Sequence, residues 1–204
     1  METPHLHAPT AIAPAIEMLT GFLESRIEAG ASFQSGQTIQ CSWMWFKVGE
    51  DETGRSVVLA PRAGVMPMDF VPDCSEALNL VLTQRYVCDS FGLESCACSA
   101  IQSAIVIKDL ARCREVFMNR IDPENGHSSG WYFGAFDGEV DVNDPENLQL
   151  MSLWELSCHF PLSRDFFILP QGWQVVLDQK AEVLKDFERA VPEAGSYYAR
   201  RYGS

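Results

Sequence analysis

Apolar residues recur along this chain with two different periods, and the switches between them mark out its elements. Across residues 14–29 the apolar positions Ile16, Leu19, Leu23 and Ile27 come at helical spacing, with Ile12 just upstream. Pro14 suits a first helical turn and Gly30 can end the helix in the left-handed conformation. Residues 1–13 read as a lead-in. Residues 37–48 alternate instead, which predicts one strand with Ile39, Cys41, Trp43 and Trp45 on one face and Gln40, Ser42, Met44 and Phe46 on the other. An acidic turn over 50–54 leads into a second strand, 56–60. Pro61, Pro67 and Pro72 then block helix and central strand alike, so 61–73 is a loop carrying Val65, Met66, Met68 and Phe70. A methionine-rich loop of this kind serves a partner when it stays exposed. Ser75 can cap a short helix to Thr83 with Leu78, Val81 and Leu82 inward, and 85–93 reads as a strand.

The small residues Ser95-Cys96-Ala97-Cys98-Ser99-Ala100 read as a domain junction. Beyond it the pattern predicts a strand at 104–108, a short turn or helix at 109–114, and strands at 116–120 and 131–136. An extended piece at 148–151 runs into a helix at 153–159 that Pro161 ends. Strands at 166–169 and 173–177 flank Pro170-Gln171-Gly172, and 179–190 reads as a helix with Val183, Leu184 and Phe187 on one side. The fold class is therefore α+β: two small mixed domains with mainly antiparallel sheets flanked by helices, at 1–98 and 99–178. A C-terminal helix and an aromatic tail complete the chain over 179–204.

Charge sharpens this picture. The 204 residues carry a formal net charge of −13, and the segment 101–178 holds 12 acids against 5 bases. Such a field repels nucleic acid and anionic membrane and attracts cationic proteins. No apolar run approaches the roughly 20 residues of a membrane helix. The first cationic side chain is Arg26 and prolines break the residues before it, so no signal peptide is read. Seven cysteines, an odd number, fit reduced thiols in the cytoplasm.

The densest feature lies between Met118 and Asn147. An Asn-Gly-Ser-rich turn launches Trp131-Tyr132-Phe133, and five carboxylates follow: Asp137, Glu139, Asp141, Asp144 and Glu146. At strand spacing Asp137, Glu139 and Asp141 project to one side, where only water or a cation suits them. An aromatic platform with an acidic lip is a surface for a basic partner. Catalytic and metal chemistry fit less well. Cys96 and Cys98 are one residue apart with no second pair at finger spacing, and Cys158 and His159 point apart on regular structure. His127 sits in a turn and His159 ends a helix; neither comes with a nucleophile motif. As a calcium loop, 137–148 has Val142 where the glycine belongs and Leu148 where the bidentate glutamate belongs. No cofactor fingerprint is present.

Residues 104–178 also resemble a known family, the domain catalogued as immunity protein thirty-three of bacterial polymorphic toxin systems. The resemblance rests on Met118-Asn119-Arg120, Ser129-Gly130-Trp131, Gly138-Glu139 in contracted form, Asn147, Pro161 and Gly172. Two positions depart from the family pattern. Ser128 stands where an acidic residue usually precedes Ser-Gly-Trp, and Val142 stands where an aromatic usually follows. The resemblance implies a cytoplasmic antidote, encoded beside a toxin, that binds and silences it without catalysis. A nuclease is the expected toxin, because clefts that hold phosphate backbones are basic. A carboxylate cluster can occupy such a cleft while Trp131 or Tyr132 anchors it. Two other readings stand beside this one: a regulatory or scaffold module sharing the fold, and a small cysteine-dependent enzyme using His127 or His159. The sequence sets no oligomeric state.

Overall fold

The computed structural model describes residues 3–123, 125–136, 144–178 and 180–203. The chain divides into two compact units, Met1–Thr83 and Gln84–Ser204. The sequence expectation placed this division at 98/99, in the run of small residues.

In the first unit, helix α1 (Ala13–Glu28) buries Ala15, Leu19 and Leu23, one stripe at a spacing of four. The chain leaves it through Gly30 at φ +89°, whose amide donates to the Ile27 carbonyl. An antiparallel sheet follows in simple order: β1 (Thr38–Cys41), β2 (Met44–Glu50), β3 (Ser56–Pro61) and β4 (Phe70–Val71). The single strand expected over 37–48 is a hairpin. Cys41 pairs with Met44, and Ser42 at φ 56° turns the chain between them. The burial phase slips at that turn, from Ile39 and Cys41 to Met44, Phe46 and Val48, which a continuous strand cannot do.

Helix α2 (Ser75–Asp89) outlasts its expected end at Thr83, and no strand forms over 85–93. Leu78, Val81, Val87 and Cys88 stay buried at helical spacing, so packing overrides the strand preference of Tyr86 and Val87.

The second unit is built on a seven-stranded sheet. Its strands are β5 (Ser103–Ile107), β6 (Val116–Arg120), β7 (Ser128–Ala135), β8 (Leu148–Ser152), β9 (Trp173–Leu177), β10 (Ala181–Lys185) and β11 (Glu188–Arg189). Their order across the sheet is β11-β10-β9-β6-β7-β5-β8. The pair β5–β7 is parallel and all other pairs are antiparallel. Ser152 caps helix α3 (Leu153–His159) by accepting from the Glu155 amide. A 3-10 segment, Pro161–Phe166, follows.

Two expected elements are different here. Residues 166–169 form no strand; Phe166, Phe167, Ile168 and Leu169 lie fully buried in a turn-rich segment. Residues 179–190 are not a helix. Ala181 and Val183 pair with Leu177 and Val175, and Asp186 and Phe187 turn the chain with φ 52° and 65°. Two successive positive φ values match the twist of a two-residue hairpin, so sheet pairing wins over the helix propensity of Glu182-Val183-Leu184-Lys185. The only helix of this C-terminal region among the described residues is α4 (Tyr197–Arg201).

Candidate partner-binding face

The register assigns the sheet's residues to two unlike faces. Met118 opposes Phe133 and Val175, Arg120 opposes Trp131, and Val116 opposes Leu177. All of these are 7% exposed or less. Residues one step along each strand face the other way.

The buried side is clamped by the very residues that carry the family resemblance. The Arg120 guanidinium, 1% exposed, donates to five backbone carbonyls: Ser129 (3.3 Å), Cys96 (3.2 Å), Ala97 (3.0 Å), Phe167 (3.1 Å) and Leu169. It also lies 5.6 Å from the Trp131 ring centre. A buried cation is tolerable only when its donors are used, and here the carbonyls come from three separate segments. Trp131 Nε1 donates to the Phe167 carbonyl at 2.9 Å, and the Gly172 amide donates to the Arg120 carbonyl at 2.7 Å. Gly130, at φ +76°, passes so close to Ile121 that a Cβ would sit 2.2 Å from its carbonyl oxygen. Ser129 Oγ donates to the Ser103 carbonyl. The Met-x-Arg and Ser-Gly-Trp elements thus hold β6, β7 and the buried 167–169 segment together. Trp131, expected as a partner anchor, is 1% exposed and committed to that clamp. Strand alternation is the reason: Trp131 and Phe133 point inward and Tyr132 points outward.

The opposite face is open. Phe117 lies across Gly134 in the paired strand, so close that a Cβ there would meet its ring at 2.5 Å. Its ring centroid is 5.9 Å from Tyr132 and 4.8 Å from Phe136. Phe136 is 60% exposed, while Phe117, Tyr132, Val176 and Ile105 are half-buried. The Tyr132 hydroxyl is buried without a hydrogen-bond partner, and burial pushes its titration upward. Two hollows flank this patch. One of about 540 Å³ touches Glu115, Phe136, Val176, Asp178 and Glu182; the other, about 240 Å³, touches Ile105, Ile121, Asp122, Tyr132 and Leu150. Sequence reasoning missed Phe117, Phe136 and Val176. Their signal was the alternation itself, once the strand boundaries are known.

Of the expected acidic lip, Asp144 and Glu146 are exposed. Asp144 caps the short turn before β8 by accepting from the Glu146 amide at 2.9 Å. Asp137, Glu139 and Asp141 lie outside the described residues, as do Gly138 and Val142. His127 stands exposed in the turn before β7. Burial pushes the thiols of Cys74, Cys88 and Cys98 up to about 12, away from the thiolate a nucleophile requires. Among the described residues no three His, Cys, Asp or Glu side chains are grouped to hold a metal ion, and no helix is long and apolar enough to cross a membrane.

Residues 84–204 therefore form an α+β domain of the immunity-protein type, with one sealed face and one open one. The chain belongs to the Imm33-like domain family, whose model matches residues 83–186, just over half its length. The match begins within a residue of the structural unit. No curated protein and no solved structure matches the chain. An immunity domain implies a toxin as partner.

Proposed function

We propose that this protein is a cytoplasmic antidote that binds a cognate toxin, a secreted effector with a basic nuclease domain, and blocks its substrate cleft without covalent chemistry. The family match carries this reading. The surface assigned to the toxin is the open face around Tyr132, Phe117 and Phe136, together with the exposed carboxylates Asp144 and Glu146; Asp137, Glu139 and Asp141, next along the sequence after Phe136, are assigned to the toxin on their charge alone. Aromatic side chains supply contact area at low entropic cost. The net charge of −13 accelerates encounter with a cationic cleft and repels the nucleic acid that competes for it.

The test is co-expression with the product of the adjacent gene. A stable complex, and inhibition that ends at one antidote per toxin, are expected. Protection at well below equimolar amounts requires turnover and overturns the blockade; absence of any complex overturns the proposal.

A further inference from the structure

The two ends of the seven-stranded sheet are finished differently. β11 is two residues long, and both Glu188 and Arg189 are charged and exposed, the ordinary way to keep an edge from pairing. β8 is five residues, Leu-Gln-Leu-Met-Ser, with neither a charge nor a proline. Among the described residues no strand lies beyond it.

The hydrogen-bond phase of this edge follows from its two ends. The Lys108 amide donates to the Asn147 carbonyl at 2.8 Å and the Leu153 amide to the Gln102 carbonyl at 2.9 Å. In an antiparallel ladder alternate residues share a direction, so Gln149 and Met151 turn their backbone groups toward β5, while Leu150 turns its amide and carbonyl outward and Ser152 its amide, the Ser152 carbonyl serving at the N-cap of α3. The Leu150 side chain lies on the open face, opposite Ile105, and is 70% exposed. It forms a wall of the 240 Å³ hollow that also touches Ile121, Asp122 and Tyr132.

We propose that β8 receives an extended segment of the toxin as an eighth strand, with a basic side chain of that segment laid over Leu150 toward Asp122. This rests on the function proposed above and names how the toxin is held. An outward row of amides and carbonyls is matched by a polypeptide in extended conformation. The charge selects which polypeptide: a second copy brings a further −13 to an acidic surface, whereas a cationic segment finds complementary charge. Asp122 carries no ion pair among the described residues, and the hollow beside it has apolar walls for the stem of a lysine or arginine.

The experiment is hydrogen exchange on the full chain, alone and with the toxin from the adjacent gene. The Leu150 and Ser152 amides are expected to exchange quickly in the free protein and roughly a hundredfold more slowly in the complex. Leu150→Pro deletes only an outward amide, which an edge strand tolerates. It is expected to weaken the complex about tenfold relative to Leu150→Ala, with the Gln149 and Met151 amides still protected as the check on folding. A complex in which the Leu150 and Ser152 amides stay fast overturns the strand addition and leaves the antidote reading standing. Protection that appears without toxin and grows with protein concentration assigns the edge to a second copy and overturns it too. Absence of a complex overturns both readings together.

Discussion

Trp131 and Tyr132 are neighbours in sequence and opposites in role. Trp131 looks into the sealed side of the sheet, where it stacks with Arg120 and donates to the 167–169 segment. Tyr132 looks onto the open side beside Phe117 and Phe136, its hydroxyl unpartnered. One side of the sheet spends its polar groups on itself; the other leaves aromatic surface and a buried hydroxyl without internal partners. The Met118-Asn119-Arg120 and Ser129-Gly130-Trp131 elements are thus the fold's fastener, and Phe117, Tyr132 and Phe136 on the other side take no part in it.

The comparison breaks most severely at the fastener. Arg120→Ala removes five hydrogen bonds to buried carbonyls, of which Phe167 keeps the Trp131 donor, and is expected to destabilise the second unit by about 5 kcal/mol. Trp131→Ala costs about 4 kcal/mol through its cavity and lost contacts. Urea denaturation followed by tryptophan fluorescence measures both, and a loss under about 1 kcal/mol in either contradicts the clamp. Capture of toxin fails in these variants only together with the fold.

The acidic run after Phe136 is expected to act on rate. Reversing Asp137, Glu139 and Asp141 to lysine is expected to slow association about tenfold at low salt, with the deficit shrinking near physiological ionic strength. Unchanged association kinetics in the triple variant move the interface away from this segment. The same reversal at Asp144 and Glu146 gives a smaller effect, because Asp144 already serves its own turn.

Near the C-terminus, Asp165 is buried, and burial raises its carboxyl above the ordinary value of about 4 despite the Tyr202 hydrogen bond and the Arg201 charge at 3.4 Å. An acid raised on folding binds its proton more tightly in the folded state. Its stabilising contribution is thus complete below the ordinary carboxylate value and is lost as pH rises through the raised one. The stability of the native protein relative to Asp165→Asn should fall over that window, and a flat difference contradicts the burial account.

The smallest effect sharpens the comparison most cleanly. Tyr132→Phe removes a buried hydroxyl with no partner and is expected to raise the free protein's stability by about 1 kcal/mol. Its affinity for toxin falls where that hydroxyl meets a partner group in the complex. Paired melting and calorimetric titrations read the two signs separately.

Much of this fold was legible in the sequence because its signals are local. The stripe of Leu19 and Leu23, the strands at 116–120 and 173–177, and the helix at 153–159 need no distant partner to be read. The hairpin turn at Ser42 was not legible, and three further elements were decided by tertiary contact. Residues 181–185 have helix-forming composition and became a strand because β9 was there to pair with. The Phe166–Leu169 run looks like a strand, but its carbonyls are claimed by Arg120 and Trp131. The helix through Tyr86 and Val87 runs on past Thr83, where the expected helix ended, because Val87 and Cys88 are buried. For the candidate site, the sequence pointed to this strand but gave Trp131 and Tyr132 the same role. Which of two adjacent aromatics faces out depends on where β7 begins, and Gly130 at positive φ sets that phase only once Ile121 is beside it.

The division of labour between the faces is tested most directly by the dissociation constant of the toxin complex for the double variant Phe117→Ser with Tyr132→Ser, taken at a temperature where circular dichroism shows it folded. A loss of affinity of about a hundredfold or more, with one-to-one inhibition regained at high concentration, is the expected result. An affinity equal to that of the native protein contradicts the account, because the open face would then be idle.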